Sequence, residues 1–197
     1  MSQILIIGAG PAGLTIAREL KERNISFDQI EKHSDVGGLW DIDNPGTPLY
    51  ETAHFISSKT LSAFPDYPMP ESYPDYPSRK QILNYIKDYA RNFDLYENIQ
   101  FNLFAKKVSQ KSDQTWQVEL SNGEIKNYQK VICATGMQWD PVKPNISGNF
   151  SGKIMHSVEY KNSQELKGKK VLVVGAGNSG CDIACDIGRV AEQTYLS

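Results

Sequence analysis

The chain carries one glycine-rich stretch twice, and this repeat constrains the fold more than any other feature. The sequences ILIIGAGPAG at 4–13 and VLVVGAGNSG at 171–180 each place a short apolar run directly before a G-x-G-x-x-G pattern. A strand covered on both faces, a tight glycine turn and a helix form the beginning of a dinucleotide-binding unit. The repeat therefore predicts an α/β fold with two Rossmann-like dinucleotide-binding domains, of which the second is incomplete in this chain.

The first copy has the neighbours that a dinucleotide site requires. An apolar run at 3–7 leads into the turn, a helix is expected from Pro11 to about Arg23, and a second strand at 27–30 ends in an acid. The glycines let a pyrophosphate approach the helix N-terminus, and the acid accepts hydrogen bonds from ribose hydroxyls. We predict that this site is formed by Gly8, Gly10, Pro11, Ala12, Gly13 and Glu31.

The second copy repeats the strand, the turn and the helix. The strand covers 171–174, and a further strand begins at about 194. The buried side of the helix is expected to consist of Ile183, Ala184 and Ile187. The counterpart of Glu31 would fall directly after Ser197, the last residue of the sequence. The residue that distinguishes a 2′-hydroxyl from a 2′-phosphate is therefore not available to decide between the two nucleotides.

Between the two copies the sequence changes character. The stretch from Pro65 to Pro77 contains five prolines and the sequence PDYP twice. It is predicted to run extended as a rigid connector. A direct binding role for the stretch is the less favoured interpretation. Ser78 and Gln81 then form a capping box at the start of a helix. The apolar face of that helix is expected to consist of Ile82, Ile86, Tyr89 and Phe93.

Several short strands follow this helix. We expect them at about 99–104, 115–120 and 125–128, with SNGE as the turn of the last pair, while 131–134 returns to the parallel sheet. The segment 78–128 is thus predicted to add a helix and a small antiparallel layer to a first domain at 1–147. A linker at 148–168 and the beginning of the second domain at 169–197 complete the predicted organisation.

Composition excludes several classes of function. The net charge is −2 without a long basic run, which argues against nucleic-acid binding, and no apolar run is long enough to cross a membrane. The three cysteines, Cys133, Cys181 and Cys185, form no CxxC pair and indicate a reducing, cytoplasmic setting. Cys181 and Cys185 are expected to face a sheet and to be inert. The sequence contains no metal-ligand spacing and no grouping typical of hydrolysis.

Four further motifs carry a resemblance to a known family. They are GGLW at 37–40, SSKT leading into FPDYP, ATG at 134–136, and FSGKIMHSVEY at 150–160. With the two glycine turns they resemble the flavin-containing monooxygenases over nearly the whole chain. The most specific match is F-x-G-x-x-x-H-x-x-x-Y, met by Phe150, Gly152, His156 and Tyr160. Related Baeyer–Villiger enzymes usually end this motif in Trp, so Tyr160 points to the branch that oxidises nitrogen and sulfur.

The resemblance implies that the first turn binds FAD and the second binds NADPH, or NADH in its place. It implies further FAD contacts at Lys32, Gly38, Leu39, Trp40, Ile56, Ser57, Val108, Ala134, Thr135 and Gly136. It assigns the second nucleotide to Gly175, Gly177, Asn178, Ser179, Gly180, Cys181 and Asp182. The resemblance also implies the chemistry: hydride passes from nicotinamide to flavin, and the reduced flavin adds O2 to give a C4a-hydroperoxide. A small molecule with a soft nitrogen or sulfur would take the distal oxygen.

The resemblance also exposes one departure and several open roles. Many family members have Asn beside the flavin where this chain has Ile56, with His54 nearby, so peroxide is expected to leak more readily. For His156, a linker histidine that hydrogen-bonds backbone between the domains is favoured over proton transfer, and packing alone is the alternative role of Trp40.

Three other functions stay open at this point. They are Baeyer–Villiger oxygenation of ketones, a flavin-linked reductase, which would require a CxxC pair, and a nucleotide-binding fragment without catalysis. We expect a longer natural chain, and a homodimer is compatible with the sequence.

Overall fold

The computed structural model describes residues 3–197 and contains nine strands and four α-helices in that part of the chain. The strands are β1 (Ile4–Ile7), β2 (Phe27–Ile30), β3 (Ile99–Gln100), β4 (Ala105–Gln110), β5 (Trp116–Leu120), β6 (Ile125–Tyr128), β7 (Lys130–Cys133), β8 (Lys170–Val173) and β9 (Gln193–Leu196). The helices are α1 (Pro11–Glu22), α2 (Lys59–Ser62), α3 (Arg79–Asn92) and α4 (Asn178–Ile187). The predicted α/β class, with a parallel sheet and a small antiparallel sheet, is confirmed.

Contacts divide the chain into two compact units. The first unit comprises the chain up to Leu39 together with Leu83–Met137, and the second comprises Trp40–Ile82 and Gln138–Ser197. The boundaries predicted from sequence, 1–147, 148–168 and 169–197, stay a prediction.

The first unit contains a four-stranded parallel sheet in the order β3-β2-β1-β7. Ile7 lies opposite Ile30 on one side and Cys133 on the other, so β1 is central and buried along its length. The antiparallel sheet β4-β5-β6 shares a core with it. That core consists of Leu5, Ile7, Ile30, Leu103, Val118, Leu120 and Tyr128.

The second unit contains the parallel pair β8-β9 with α4 beside it. Its core consists of Tyr50, Ala53, Tyr160, Leu166, Ile183 and Ile187. Of the three residues predicted on the inner side of α4, Ile183 and Ile187 are buried and Ala184 is only half-buried. The strand predicted near 194 is present as β9.

The capping box at the start of α3 is confirmed. The backbone N–H of Ser78 donates to Oε1 of Gln81 at 2.9 Å, and the N–H of Gln81 donates back to Oγ of Ser78 at 3.4 Å. This reciprocal pair satisfies two donors that a helix N-terminus otherwise leaves without partners. Ile82, Ile86 and Tyr89 are buried as predicted, whereas Phe93 is half-buried and lies just after the helix.

The strand predicted at 99–104 is wrong in length and in partner. Only Ile99–Gln100 is a strand, and it pairs in parallel with β2. The antiparallel sheet begins instead with Ala105–Gln110, a polar segment (AKKVSQ) whose sequence lacks the apolar alternation that marks a half-buried strand.

The proline-rich stretch does not run extended. Nζ of Lys59 donates to the carbonyl oxygens of Glu71 and Tyr73, at 2.9 and 2.5 Å. The backbone N–H of Lys59 donates to the carbonyl oxygen of Asp75 at 2.8 Å. The stretch therefore folds back on α2, because one lysine satisfies carbonyl groups that an isolated polyproline segment would expose to water.

The cysteines also differ from expectation. Cys181 and Cys185 are exposed in the structure, because α4 turns Ile183 and Ile187 inward instead. Cys133, at the end of β7, is exposed as well.

Among the described residues, no helix is both long and apolar enough to span a membrane.

Candidate dinucleotide sites

The first glycine turn joins the parallel sheet to α1. Gly8 has φ +109°, and a Cβ atom at this position would lie 2.4 Å from the carbonyl oxygen of Ala134. A Cβ on Gly13 would lie 2.1 Å from the carbonyl oxygen of Gly8. Both positions therefore require glycine for reasons internal to the protein. The contacts also place the Ala134–Thr135 backbone directly beside the turn.

Glu31 holds this turn from the end of β2. The residue is 5% exposed, and its Oε2 accepts a hydrogen bond from the backbone N–H of Ala9 at 2.6 Å. Oε1 accepts from the N–H of His33 at 2.9 Å. A carboxylate has about four acceptor positions, so these two bonds leave capacity for hydroxyl donors. The residue predicted to bind ribose thus lies against the turn and is already oriented by it.

The segment with Gly37 and Gly38 completes the first site. The N–H of Gly37 donates to the carbonyl oxygen of Ala9 at 3.2 Å. A Cβ on Gly38 would approach the Cα of Gly10 to 3.2 Å. Two glycine-containing segments therefore meet backbone to backbone, and the structure brings together the predicted residues Gly8, Gly10, Gly13, Glu31, Gly38 and Ala134.

The second turn repeats this construction within the second unit. Gly175 has φ +105°, and a Cβ on Gly180 would lie 1.8 Å from the carbonyl oxygen of Gly175. The N–H of Cys181 donates to the carbonyl oxygen of Gly177 at 2.9 Å, which begins the hydrogen bonding of α4. Asn178 and Ser179 form the exposed first turn of that helix.

The middle glycine of each turn has no such internal reason. Gly10 has φ −75° and Gly177 has φ −76°, values open to any residue. A Cβ on Gly177 would meet nothing within 4 Å, and one on Gly10 would make only an ordinary contact at 3.7 Å. Both glycines cap the N-terminus of a helix, where backbone N–H groups are available to an anion. Each turn thus keeps open the space in front of a helix, which is the fit that a pyrophosphate requires.

Other predicted FAD residues lie outside this cluster of contacts. Lys32 and Gly136 are exposed, and Val108 packs against the core of the antiparallel sheet. Trp40 and Phe55 make an edge-to-face ring contact at 5.2 Å within the second unit. Also in that unit, His54 forms an isolated β-bridge with Ser78, while Ile56 is 68% exposed. Assignment of these residues to a flavin stays a prediction, as it does for the residues gathered at the turn and for Pro11, Ala12, Leu39, Ser57 and Thr135.

His156 has a defined structural role. Its Nδ1 accepts a hydrogen bond from the N–H of Val158 at 3.1 Å, and its own N–H donates to Oε1 of Glu159 at 2.9 Å. The side chain therefore caps the short helical turn Ser157–Glu159. This hydrogen bond is local to the segment 156–159, so the role predicted for His156, a bond to backbone between the domains, stays a prediction.

The carboxylate predicted at the second nucleotide has a protein partner. Oδ2 of Asp182 accepts a hydrogen bond from the Tyr50 hydroxyl at 2.9 Å. One helical turn later, Oδ2 of Asp186 accepts from the Tyr160 hydroxyl at 2.5 Å. Tyr50 and Asp186 were missed from sequence, although a carboxylate between the buried Ile183 and Ile187 is a signal that such a partner exists.

Gln29 is a further residue that sequence reasoning missed. It is fully buried in β2, and its Nε2 donates to the carbonyl oxygen of Gly8 at 2.9 Å. The strand FDQI places two polar residues, Asp28 and Gln29, between Phe27 and Ile30, and this was the available signal. Gln29 therefore supports the first turn from beneath.

Comparison with known proteins identifies the family. The family model described as flavin-binding monooxygenase-like matches residues 1–197. Flavin-containing monooxygenase 5 of Mus musculus is 35% identical, over 99% of this chain and 39% of the mouse protein. The chain therefore belongs to the flavin-binding monooxygenase-like family, and the resemblance found in its motifs is confirmed.

Solved structures agree with this assignment. The S-allyl-L-cysteine S-oxygenase of Allium sativum superposes with a TM-score of 0.90 at 25% identity, covering 98% of this chain and 50% of that one. A flavin monooxygenase from Stenotrophomonas maltophilia, as a double mutant, gives 0.87 at 27% identity and covers 99% and 57%. The chain spans about two fifths of the length of the curated relatives that it matches.

Proposed function

We propose that this chain forms the nucleotide-binding part of a flavin-dependent monooxygenase. The enzyme uses NAD(P)H and O2 to transfer oxygen to a soft nitrogen or sulfur atom of a small molecule. The observation that carries the proposal is the pair Gly10 and Gly177, whose lack of a side chain has no cause within the protein. Two such openings, each at a helix N-terminus, suit two nucleotides.

FAD is assigned to the first turn. The helix N-terminus at Gly10 would face its pyrophosphate, and the remaining acceptor positions of Glu31 would receive ribose hydroxyls. When bound, FAD supplies the redox chemistry and the activation of O2, and the protein holds and orients the ring and excludes water. The exposed Ile56 and the half-buried Ser57 are kept in this proposal as contacts further along the cofactor.

NADPH or NADH is assigned to the second turn. The backbone N–H groups of Asn178, Ser179 and Gly180 would face its pyrophosphate at the beginning of α4. Cys181 lies beside them. The Asp182 carboxylate accepts a hydrogen bond from Tyr50 and thereby holds the helix in place. A fixed cradle for each nucleotide is required because hydride transfer needs the two rings in contact.

Oxygenation of nitrogen or sulfur, rather than of ketones, is supported by Tyr160 and by the structural similarity to the S-allyl-L-cysteine S-oxygenase of Allium sativum. A cytoplasmic location and assembly as a homodimer belong to the same proposal.

The test uses the complete natural protein. Acid precipitation should release FAD into the supernatant, and NADPH should bleach the flavin absorbance under anaerobic conditions. In air, a thioether or a tertiary amine should gain one oxygen atom derived from isotopically labelled O2, measured by mass spectrometry. Conversion of a cyclic ketone into a lactone, with no product from the thioether or amine, would favour Baeyer–Villiger oxygenation instead. Absence of released flavin would refute the proposal.

A further inference from the structure

Two tyrosine–aspartate pairs hold α4 at successive turns. Asp182 and Asp186 are four residues apart and therefore lie on one face of the helix. Tyr50 donates to the first and Tyr160 to the second, at 2.9 and 2.5 Å. The two tyrosine rings contact each other with centroids 5.8 Å apart. We call Tyr50–Asp182 the upper pair and Tyr160–Asp186 the lower pair.

Both tyrosines are permanent donors. Tyr50 and Tyr160 are 5% and 3% exposed as whole residues. Burial, and then the hydrogen bond to the neighbouring carboxylate, raises the pKa of each hydroxyl well above its ordinary value of 10.0. Each hydroxyl therefore keeps its proton, and so remains a donor, over the whole physiological pH range.

The segments that carry the tyrosines are fixed to each other. Nζ of Lys161 donates to the carbonyl oxygens of Thr47 and Leu49, at 2.8 and 3.0 Å. The N–H of Glu51 donates to the carbonyl oxygen of Lys161 at 2.8 Å. The two donors thus belong to one cross-linked support, so a shift of α4 against it would break both pairs.

The pairs give α4 a defined rotation and register. Ile183 and Ile187 bury an apolar stripe, but apolar contacts are not directional and tolerate small sliding and rotation. Hydrogen bonds to carboxylates are short and directional, so two of them one turn apart fix the helix along and about its axis. An apolar residue at 186 would fill the same space without this constraint.

The N-terminus of α4 is the part that faces the second turn. The helix begins at Asn178, directly after Gly177, and Asp182 lies about 6 Å further along its axis. A displacement at Asp182 therefore changes the direction of the N–H groups that would bind a pyrophosphate.

We propose that the upper pair, Tyr50–Asp182, positions the second turn for binding of the nicotinamide nucleotide, and that the lower pair anchors the helix. The inference rests on the assignment of NADPH to that turn. It makes Tyr50 and Asp182 positioning residues, because they act through α4 and not by touching the nucleotide.

Loss of the upper pair is expected to weaken NADP⁺ binding more, and loss of the lower pair is expected to lower thermal stability more. In the flavin-loaded natural protein, Tyr50→Phe should weaken binding of NADP⁺ about fivefold to tenfold, and Tyr160→Phe no more than about threefold. Tyr160→Phe should lower Tm more, because its bond to Asp186 is the buried one. NADP⁺ affinity is measured by calorimetry and Tm by scanning calorimetry, with flavin content as the measure of correct folding.

Conservative variants separate positioning from general damage. Asp182→Asn keeps a carbonyl oxygen that can accept from Tyr50, so NADP⁺ affinity should stay within about twofold of wild type. Asp182→Ala should match Tyr50→Phe, and the two changes combined should be no worse than either alone.

Tyr128→Phe is the matched control. Tyr128 donates to Oδ2 of Asp28 at 2.8 Å and is equally buried, but it belongs to the first unit. It should lower Tm and leave NADP⁺ affinity unchanged.

Four results would overturn the inference. Positioning is refuted, while the assignment of NADPH stands, by any of three results. The first is unchanged NADP⁺ affinity in Tyr50→Phe, and the second is a loss of affinity that ranks Tyr50→Phe and Tyr160→Phe in the same order as their losses of Tm. The third is a loss of affinity in Tyr128→Phe as large as that in Tyr50→Phe. Wild-type protein that neither binds NADP⁺ nor is reduced by NADPH refutes the assignment itself, and the positioning role with it.

Discussion

At the scale of single residues, the glycines of the first turn serve different purposes. Gly8 is required by its positive φ and by the nearby Ala134 carbonyl, whereas Gly10 leaves space that the protein does not use. We therefore expect Gly8→Ala to destabilise the flavin-free protein by about 2 kcal/mol or more. Gly10→Ala should cost less than about 1 kcal/mol, from its weaker helix capping, but should reduce FAD binding at least about tenfold.

These two variants are compared by thermal unfolding after flavin removal and by flavin titration. Equal losses of stability in both would show that Gly10 is also required by the fold. Unchanged flavin affinity in Gly10→Ala would contradict the assignment of its open space to a pyrophosphate.

Ile56 supplies a second test at a single residue. An alkyl side chain cannot donate a hydrogen bond to a flavin peroxide, whereas an Asn side chain can. Loss of a hydrogen bond to such a polar group shortens the lifetime of the peroxide by about one to two orders of magnitude. In the complete protein, Ile56→Asn should lower the hydrogen peroxide released per NADPH consumed. A peroxide assay beside NADPH absorbance measures this ratio, and Ile56→Leu is the size-matched control. No difference between the variants would mean that another donor already serves.

At the scale of elements, the loop between β2 and Gly37 is held by one carboxylate. Oδ1 of Asp35 accepts from the Tyr96 hydroxyl at 2.9 Å and from the N–H of Val36 at 2.7 Å, and Oδ2 pairs with Nζ of Lys87 at 2.7 Å. Burial alone would raise the pKa of Asp35, but these bonds outweigh it and lower the pKa below its ordinary value of 3.8. The network thus ties the loop to α3, with the Asp35 carboxylate in its charged form.

The lowered pKa determines how stability depends on pH. A carboxyl group whose pKa falls on folding contributes stability above its unfolded value, and this contribution is lost as pH falls through the folded value. Asp35→Asn should therefore cost about 1 kcal/mol at neutral pH, and this cost should shrink progressively as the pH falls below 3.8 and through the lower folded pKa of Asp35. Unfolding curves across that range provide the measurement.

The exposed pair of Asp88 and Arg91 on α3 gives the control. Asp88→Asn should change the free energy of unfolding by less than about 0.5 kcal/mol at any pH. An equal effect of the two variants would show that the Asp35 network has no special role.

The elements that sequence predicted correctly have local causes. β1, α1 and β2 follow from a buried apolar run, a glycine turn and a proline at the first helical position, and α3 follows from its capping box. The failures have distant causes. Ala105–Gln110 is a strand because β5 pairs with it, and the proline-rich loop folds back because Lys59 binds its carbonyl groups.

The candidate sites show the same division. The turns and Glu31 could be predicted, since spacing along the chain defines them. Tyr50 could not be paired with Asp182, because the bond joins residues 132 positions apart and no local pattern encodes it.

At the scale of the whole molecule, the two openings belong to separate compact units. Gly10 lies in the first and Gly177 in the second, and each turn is held by contacts within its own unit. Loss of one nucleotide should therefore leave binding of the other intact. In the complete protein, Gly177→Ala should retain bound FAD and weaken NADP⁺ binding at least about tenfold, because its Cβ would occupy the space of a pyrophosphate.

The reciprocal variant completes this prediction. Gly10→Ala should lose FAD while NADP⁺ still binds to the flavin-free protein, as measured by calorimetry. Gly180→Ala controls for misfolding of the second turn, since its Cβ would lie 1.8 Å from the carbonyl oxygen of Gly175. It should lower Tm well beyond the small capping cost expected for Gly177→Ala. Loss of FAD from Gly177→Ala, with normal NADPH reduction of the flavin that remains, would show that the two turns have been assigned to the wrong nucleotides.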